Sequence, residues 1–115
     1  MEVDGAWVGT VQLSEYPELE DFDWMFISSL IVDDQFRRRG YGTALMKKAM
    51  SEAESNGKGS YLMVYQDNDG AIKLYEKLGF RIVREYYYDN DPNGFYVMAI
   101  GFGSTNQLME ISFDA

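Results

Sequence analysis

Residues Trp24 to Val32 are apolar apart from Ser28 and Ser29. A strand wetted on one face alternates apolar with polar residues. A run without alternation belongs to a central strand covered on both faces. The fold therefore needs a sheet with a layer on each side. Thr43 to Ser55 follows with a helical pattern: Leu45, Met46, Ala49, Met50 and Ala53 share one face, while Lys47, Lys48, Ser51, Glu52 and Glu54 face water. Asn56-Gly57 reads as a helix stop and Tyr61 to Tyr65 as the next strand. Strand, helix and strand in that order predict a crossover between parallel neighbours.

Between the apolar run and the helix lies Asp33-Asp34-Gln35-Phe36-Arg37-Arg38-Arg39-Gly40-Tyr41-Gly42-Thr43. The first backbone N–H groups of a helix lack internal partners, and the helix dipole places partial positive charge there. Gly40 and Gly42 let those donors approach an anion closely, and Arg37, Arg38 and Arg39 add fixed charge. This loop suits a pyrophosphate. Two plainer readings stand beside it: a tight glycine turn, and a solvated run of arginines. The order Arg-x-x-Gly-x-Gly matches neither the P-loop nor the Rossmann fingerprint.

Around this centre the chain is simple. Val3-Asp4-Gly5-Ala6 reads as a hairpin turn, Ala6 to Ser14 as a strand, and Glu15 to Asp23 as an acidic loop. Gln66 to Gly70 is a polar loop with helix-capping residues. Ala71 to Leu78 is a short helix closed by Gly79-Phe80. Arg81 to Tyr88 is a strand, Asp89 to Gly94 a turn, Phe95 to Phe102 a returning antiparallel strand, and Leu108 to Phe113 one more strand.

Composition excludes several kinds of chemistry. The chain has 115 residues, 46% of them hydrophobic and 16% aromatic, which fits one globular domain over 1–115. Cysteine and histidine are absent, so disulfides, thiolate or imidazole metal sites, cysteine nucleophiles and a Ser-His-Asp triad are excluded. Acid–base work falls to carboxylates, tyrosine, lysine or water. The formal net charge of -9 argues against a general nucleic-acid binder and would attract a cationic substrate. No stretch approaches the roughly 20 apolar residues needed to cross a membrane, and no secretory signal is visible. A cytoplasmic location without membrane partners is the default expectation.

In this order the pieces resemble the GNAT superfamily of acetyl-CoA-dependent N-acetyltransferases. Leu30-Ile31-Val32 followed by Arg37-Arg38-Arg39-Gly40-Tyr41-Gly42 is similar to the family's Arg/Gln-x-x-Gly-x-Gly/Ala motif. Asn68 to Phe80 is similar to its Asn-x-x-Ala…Tyr-x-x-x-Gly-Phe segment. The spacing between the two fits one helix and one strand, and the likeness covers residues 3–100. It implies an α/β fold with a mixed, splayed central sheet flanked by helices, acetyl-CoA as co-substrate, and no metal. It further implies that Arg37 to Thr43 hold the pyrophosphate, that Leu30, Ile31 and Val32 line the pantetheine arm, that Asn68 bonds that arm, and that Tyr75 protonates the leaving thiolate. Tyr86-Tyr87-Tyr88 resembles the branch that acetylates peptide N-termini, with Tyr87 and Tyr88 as substrate contacts. Read without the resemblance, Tyr75 is a core residue, Asn68 a helix cap, and the tyrosines an alternating strand.

Departures from the pattern shape the expectations. Phe26 stands where many relatives carry a glutamate general base, which leaves Glu15, Asp23, a tyrosine, or an amine that arrives neutral. The chain also starts at what would be the family's second strand. Residues 103–115 are then read as an extra edge strand that replaces the missing one, in its own subunit or by exchange in a homodimer. The acceptor is a small cationic amine or a protein amino group. The rival reading is a non-catalytic acyl-CoA-binding or interaction module of the same fold.

Overall fold

A computed structural model describes residues 1–3, 5–17, 20–36, 40–87 and 91–111. β1 (Glu2–Val3) pairs antiparallel with β2 (Ala6–Trp7), Val3 opposite Ala6; Asp4 of the turn read at Asp4-Gly5 lies outside the described residues. The main sheet has five strands: β3 (Gly9–Ser14), β4 (Trp24–Val32), β5 (Gly59–Tyr65), β6 (Arg81–Tyr87) and β7 (Gly94–Ile100). Their order is β3-β4-β5-β7-β6, and only β4 and β5 run parallel. The crossover between them is α1 (Tyr41–Ser55), as the apolar spacing requires. It buries Leu45, Met46, Ala49 and Ala53, while Met50 is half-buried at the edge of the same contact.

Both faces of β4 are covered. On one, Ile27 packs with Met46 and Ala49 of α1 and with Leu62, Val64, Phe80 and Met98. Against this cluster also lies α2 (Asp69–Lys77), through Ala71, Ile72 and Tyr75. The α2 start is fixed by Asn68, whose Oδ1 accepts from the Ala71 N–H at 3.3 Å. Its end is fixed by Gly79 at φ +101°, where the chain turns to bury Phe80. On the other face Trp24, Tyr61, Phe95, Val97 and Ala99 form a second cluster with Phe22.

The C-terminal segment corrects one expectation. Residues read as an edge strand begin instead as a helix, α3 (Thr105–Met109). Leu108 in the helix and Ile111 just beyond its end both enter the second cluster, where the alternation of a strand would have parted them. The Trp24 indole donates to the Ser104 carbonyl at 2.9 Å, and Arg84 Nη1 donates to the carbonyls of Leu108 and Ile111 at 3.1 and 2.7 Å. The segment thus covers a sheet face rather than extending the sheet; residues 112–115 lie outside the described part. Among the described residues no helix is long and apolar enough to cross a membrane.

Candidate functional site

The parallel seam is short. Trp24 faces Gly59, Met25 faces Ser60, Phe26 faces Tyr61, and there the pairing ends. Beyond it β4 stays with β3 as far as Val32 opposite Gly9, and β5 stays with β7 as far as Tyr65 opposite Phe95. The two strands part. The cause lies in β4: between the pairs Thr10–Ile31 and Gln12–Ser28, three steps on β4 match two on β3, and Ser29 has φ +56°. This is a β-bulge with its extra residue in the left-handed region, and it bends β4 away from β5.

The ladder phase shows which backbone groups line the gap. Asp33 N donates to Val8 O at 2.7 Å, so Val8 and Asp33 point at one another. By the two-residue alternation Ile31 also turns its backbone to β3, while Leu30 and Val32 turn theirs to the side that β5 has left. Of the three residues read as a pantetheine lining, two thus face the gap with their backbone. Ile31 is half exposed through its side chain.

The N-terminus of α1 stands at the end of this gap, with Gly42 3.8 Å below the Val32 side chain by its would-be Cβ. The cap residue Gly40 has φ +82°, makes no side-chain hydrogen bond, and a Cβ there would meet nothing within 4 Å. Its carbonyl accepts from Ala44 N at 3.0 Å, so the N–H groups of Tyr41, Gly42 and Thr43 precede the helical ladder. The Asp33 side chain holds the preceding 3-10 turn by accepting from Gln35 N at 3.0 Å, and Phe36 packs edge-on against Tyr41 with centroids 5.8 Å apart. This open, donor-rich helix end is a fit cradle for a pyrophosphate. Arg37, Arg38 and Arg39 lie outside the described residues.

Tyr75 is half-buried against the cluster that also holds Ile27, Leu62 and, at its edge, Leu30. Its ring lies 6.0 Å from that of Phe80. Burial pushes its phenol above the ordinary tyrosine value. Its ring is part of the core contact. Asn68 is exposed and engages its Oδ1 as a cap; its Nδ2 makes no hydrogen bond among the described residues.

The expected bases separate cleanly from the gap. Glu15 pairs with Lys58 at 3.7 Å just before β5 begins, and Asp23 accepts from Ser104 N at 2.9 Å just before β4 begins. Both carboxylates stand at the paired end. At the branch point Phe26 stacks on Tyr61 at 5.0 Å, with Tyr16 6.1 Å from Phe26. The Tyr61 hydroxyl donates to the Tyr16 carbonyl. Burial above all, with the neighbouring Tyr16, drives its pKa far above the tyrosine range.

The tyrosine run divides. Tyr86 packs on Phe95 with ring centroids 5.1 Å apart, and the Arg84 guanidinium lies over the Tyr86 ring, 4.8 Å from its centroid. Tyr87 is half exposed and covers Gly94, and its hydroxyl donates to Gln66 Oε1 at 3.1 Å. Tyr88 lies outside the described residues. Gln66 is the residue that sequence reasoning missed. Its backbone N donates to Gly94 O at 3.0 Å, and its Nε2 is buried with no hydrogen-bond partner among the described residues. Its place directly after the strand was the available signal.

Residues 1–80 match the sequence model of the acetyltransferase (GNAT) family. An N-alpha-acetyltransferase of Sulfurisphaera tokodaii is 37% identical, over 85% of this chain and 65% of the relative. The crystal structure of Ard1 from Thermoplasma volcanium superposes with a TM-score of 0.70 at 35% identity, over 85% of this chain and 65% of that one. The structure of yncA from Salmonella typhimurium with its cofactor acetyl-CoA shares the fold, with a TM-score of 0.74 at 19% identity, over 86% of this chain and 60% of that one. The chain spans less than two thirds of the length of each of these proteins.

Proposed function

The chain belongs to the acetyltransferase (GNAT) family, and from that premise we propose that it transfers an acetyl group from acetyl-CoA to a primary amine, with a peptide α-amino group as the preferred acceptor. The observation that carries the reading is the parting of β4 from β5 onto the uncapped start of α1. In this reading the N–H groups of Tyr41, Gly42 and Thr43, with Arg37, Arg38 and Arg39, hold the pyrophosphate. The backbones of Leu30 and Val32 run beside the pantetheine arm as a neighbouring strand would, and Asn68 offers its Nδ2 to the same arm. Acetyl-CoA would supply a thioester carbonyl open to attack. Holding that carbonyl and the amine in contact lowers the barrier. As the N–C bond forms and the C–S bond breaks, Tyr75 gives its phenolic proton to the departing sulfur, and the proton shed by the acylated amine, passed through solvent, restores the phenol.

The acceptor's own basicity decides its class. Phe26 offers no carboxylate at the branch point, and Glu15 and Asp23 stand at the far end of the seam. The amine then arrives neutral. Near neutral pH an α-amino group, with a pKa of about 8, is neutral about two orders of magnitude more often than a lysine amine near 10.4. The N-alpha-acetyltransferase relative and the position of Tyr87 beside Gln66 support the same choice. The same lack of a carboxylate favours the second reading, an acyl-CoA-binding module without turnover.

The test is thiol release from acetyl-CoA with N-terminal peptides, N-blocked lysine peptides, amino sugars and polyamines, beside calorimetric titration with coenzyme A. Release with free N-terminal peptides, slowed about 10²-fold in Tyr75→Phe, is expected. Coenzyme A binding without release on any acceptor selects the binding module. Absence of coenzyme A binding overturns both.

A further inference from the structure

At the opposite end of the seam from the acetyl-CoA gap, the chain presents a large apolar side chain to water on a rigid mount. Phe102 is fully exposed. A Cβ on Gly101, at φ +138°, would come within 2.7 Å of the Gly59 Cα, and one on Gly103 would come within 2.6 Å of the Asp23 Cβ. The backbone on both sides of Phe102 is therefore seated against the starts of β4 and β5, and the ring stands in solvent.

Beside this knob lies a cleft of about 720 Å³ whose wall includes Phe102 itself. Met50, Gly79 and Ile100 contribute apolar lining, and charges of both signs stand there: Asp23 and Lys58, which are engaged by Ser104 and Glu15, and Glu54 in the last turn of α1 with Arg81 at the start of β6. Glu54 and Arg81 are exposed, and neither has an ion-pair partner among the described residues. A knob and a hole on one patch, with both signs of charge at the rim, make a surface complementary to itself.

We propose that this end of the molecule is the contact between two copies of the chain, related by a two-fold axis. Phe102 of each copy enters the cleft of the other, and Glu54 of each meets Arg81 of the other. A contact of this kind closes on two copies and leaves both acetyl-CoA gaps facing away from it. Because the Gly-Phe-Gly mount is already ordered, little conformational freedom is lost on docking.

Sedimentation velocity of the full chain from low to high micromolar concentration tests this. Physiological salt screens the repulsion between copies of net charge -9 beyond about 8 Å. The expected mass is twice 13.2 kDa. Phe102→Asp weakens association at least tenfold and leaves the melting temperature of the single copy unchanged. Glu54→Arg and Arg81→Glu each weaken it, and the protein carrying both regains it, a reciprocity that only copy-to-copy pairing gives. A single-copy mass at every concentration, a dimer untouched by Phe102→Asp, or a combined charge variant that stays dissociated overturns the proposal.

Discussion

The two ends of the β4–β5 seam are built from the same two strands and behave in opposite ways. At the paired end space is so short that glycine is obligatory: a Cβ on Gly59 would lie 2.6 Å from the Trp24 ring and 2.8 Å from the Ile100 carbonyl. Trp24 is fully buried, and its indole is satisfied by Ser104. At the parted end a residue other than glycine takes a left-handed conformation, and a helix starts from a glycine with open space around it. Close strand pairing and strand parting lie at opposite ends of one nine-residue strand.

The strongest way to break this division is Trp24→Ala. Removing a fully buried indole costs about 3–5 kcal/mol, read as a lower urea midpoint. Coenzyme A affinity of the molecules that stay folded is unchanged if the ends are independent, and falls with stability if they are not. The next effect is alkaline. The folded pKa of Tyr61, and to a smaller degree that of Tyr75, is raised above the ordinary value near 10. Their neutral forms are favoured by folding, so stability is fully present below pH 10 and is lost as pH rises above it. The slope for Tyr61 is roughly 1.4 kcal/mol per pH unit. Urea midpoints at pH 8 and pH 11 measure it, and Tyr61→Phe should flatten the fall. The smallest effect sharpens the comparison from the other side. Ser29→Gly relieves the left-handed serine and stabilises the fold by up to about 1 kcal/mol. A loss of stability instead would mean that the Ser29 side chain holds the bulge.

Much of this was legible in the sequence where local physics decides. The two-sided apolar strand, the crossover helix, the Asn68 cap and the Gly79-Phe80 stop each follow from the spacing or conformational needs of a few neighbours, and the GNAT motifs gave the mixed, splayed sheet. What escaped depended on distance or on a single dihedral. Ser29 carries no glycine signature although it takes a positive φ, so the bulge that parts the strands was invisible. Glu15 and Asp23 are near β4 in sequence, and only the topology puts them at the wrong end of it. The C-terminal helix is barely more than one turn, and its apolar residues gave no helical periodicity to read; the second cluster, which takes up both Leu108 and Ile111, decides its form. Gln66 looked like one more polar loop residue until Tyr87 and Gly94 closed over it.

The three-pair seam also has a mechanical meaning. The sheet is two leaves, β3–β4 and β5–β7–β6, joined edge to edge over only Trp24 to Phe26. Such a joint is a hinge with a short pin and long arms. The α1 helix packs across β3, β4 and β5, so it acts as a brace over the joint. A small rotation at the pin becomes a wide change in the mouth some six residues along β4, and whatever lies between Leu30 and the far leaf grips both arms at their longest leverage.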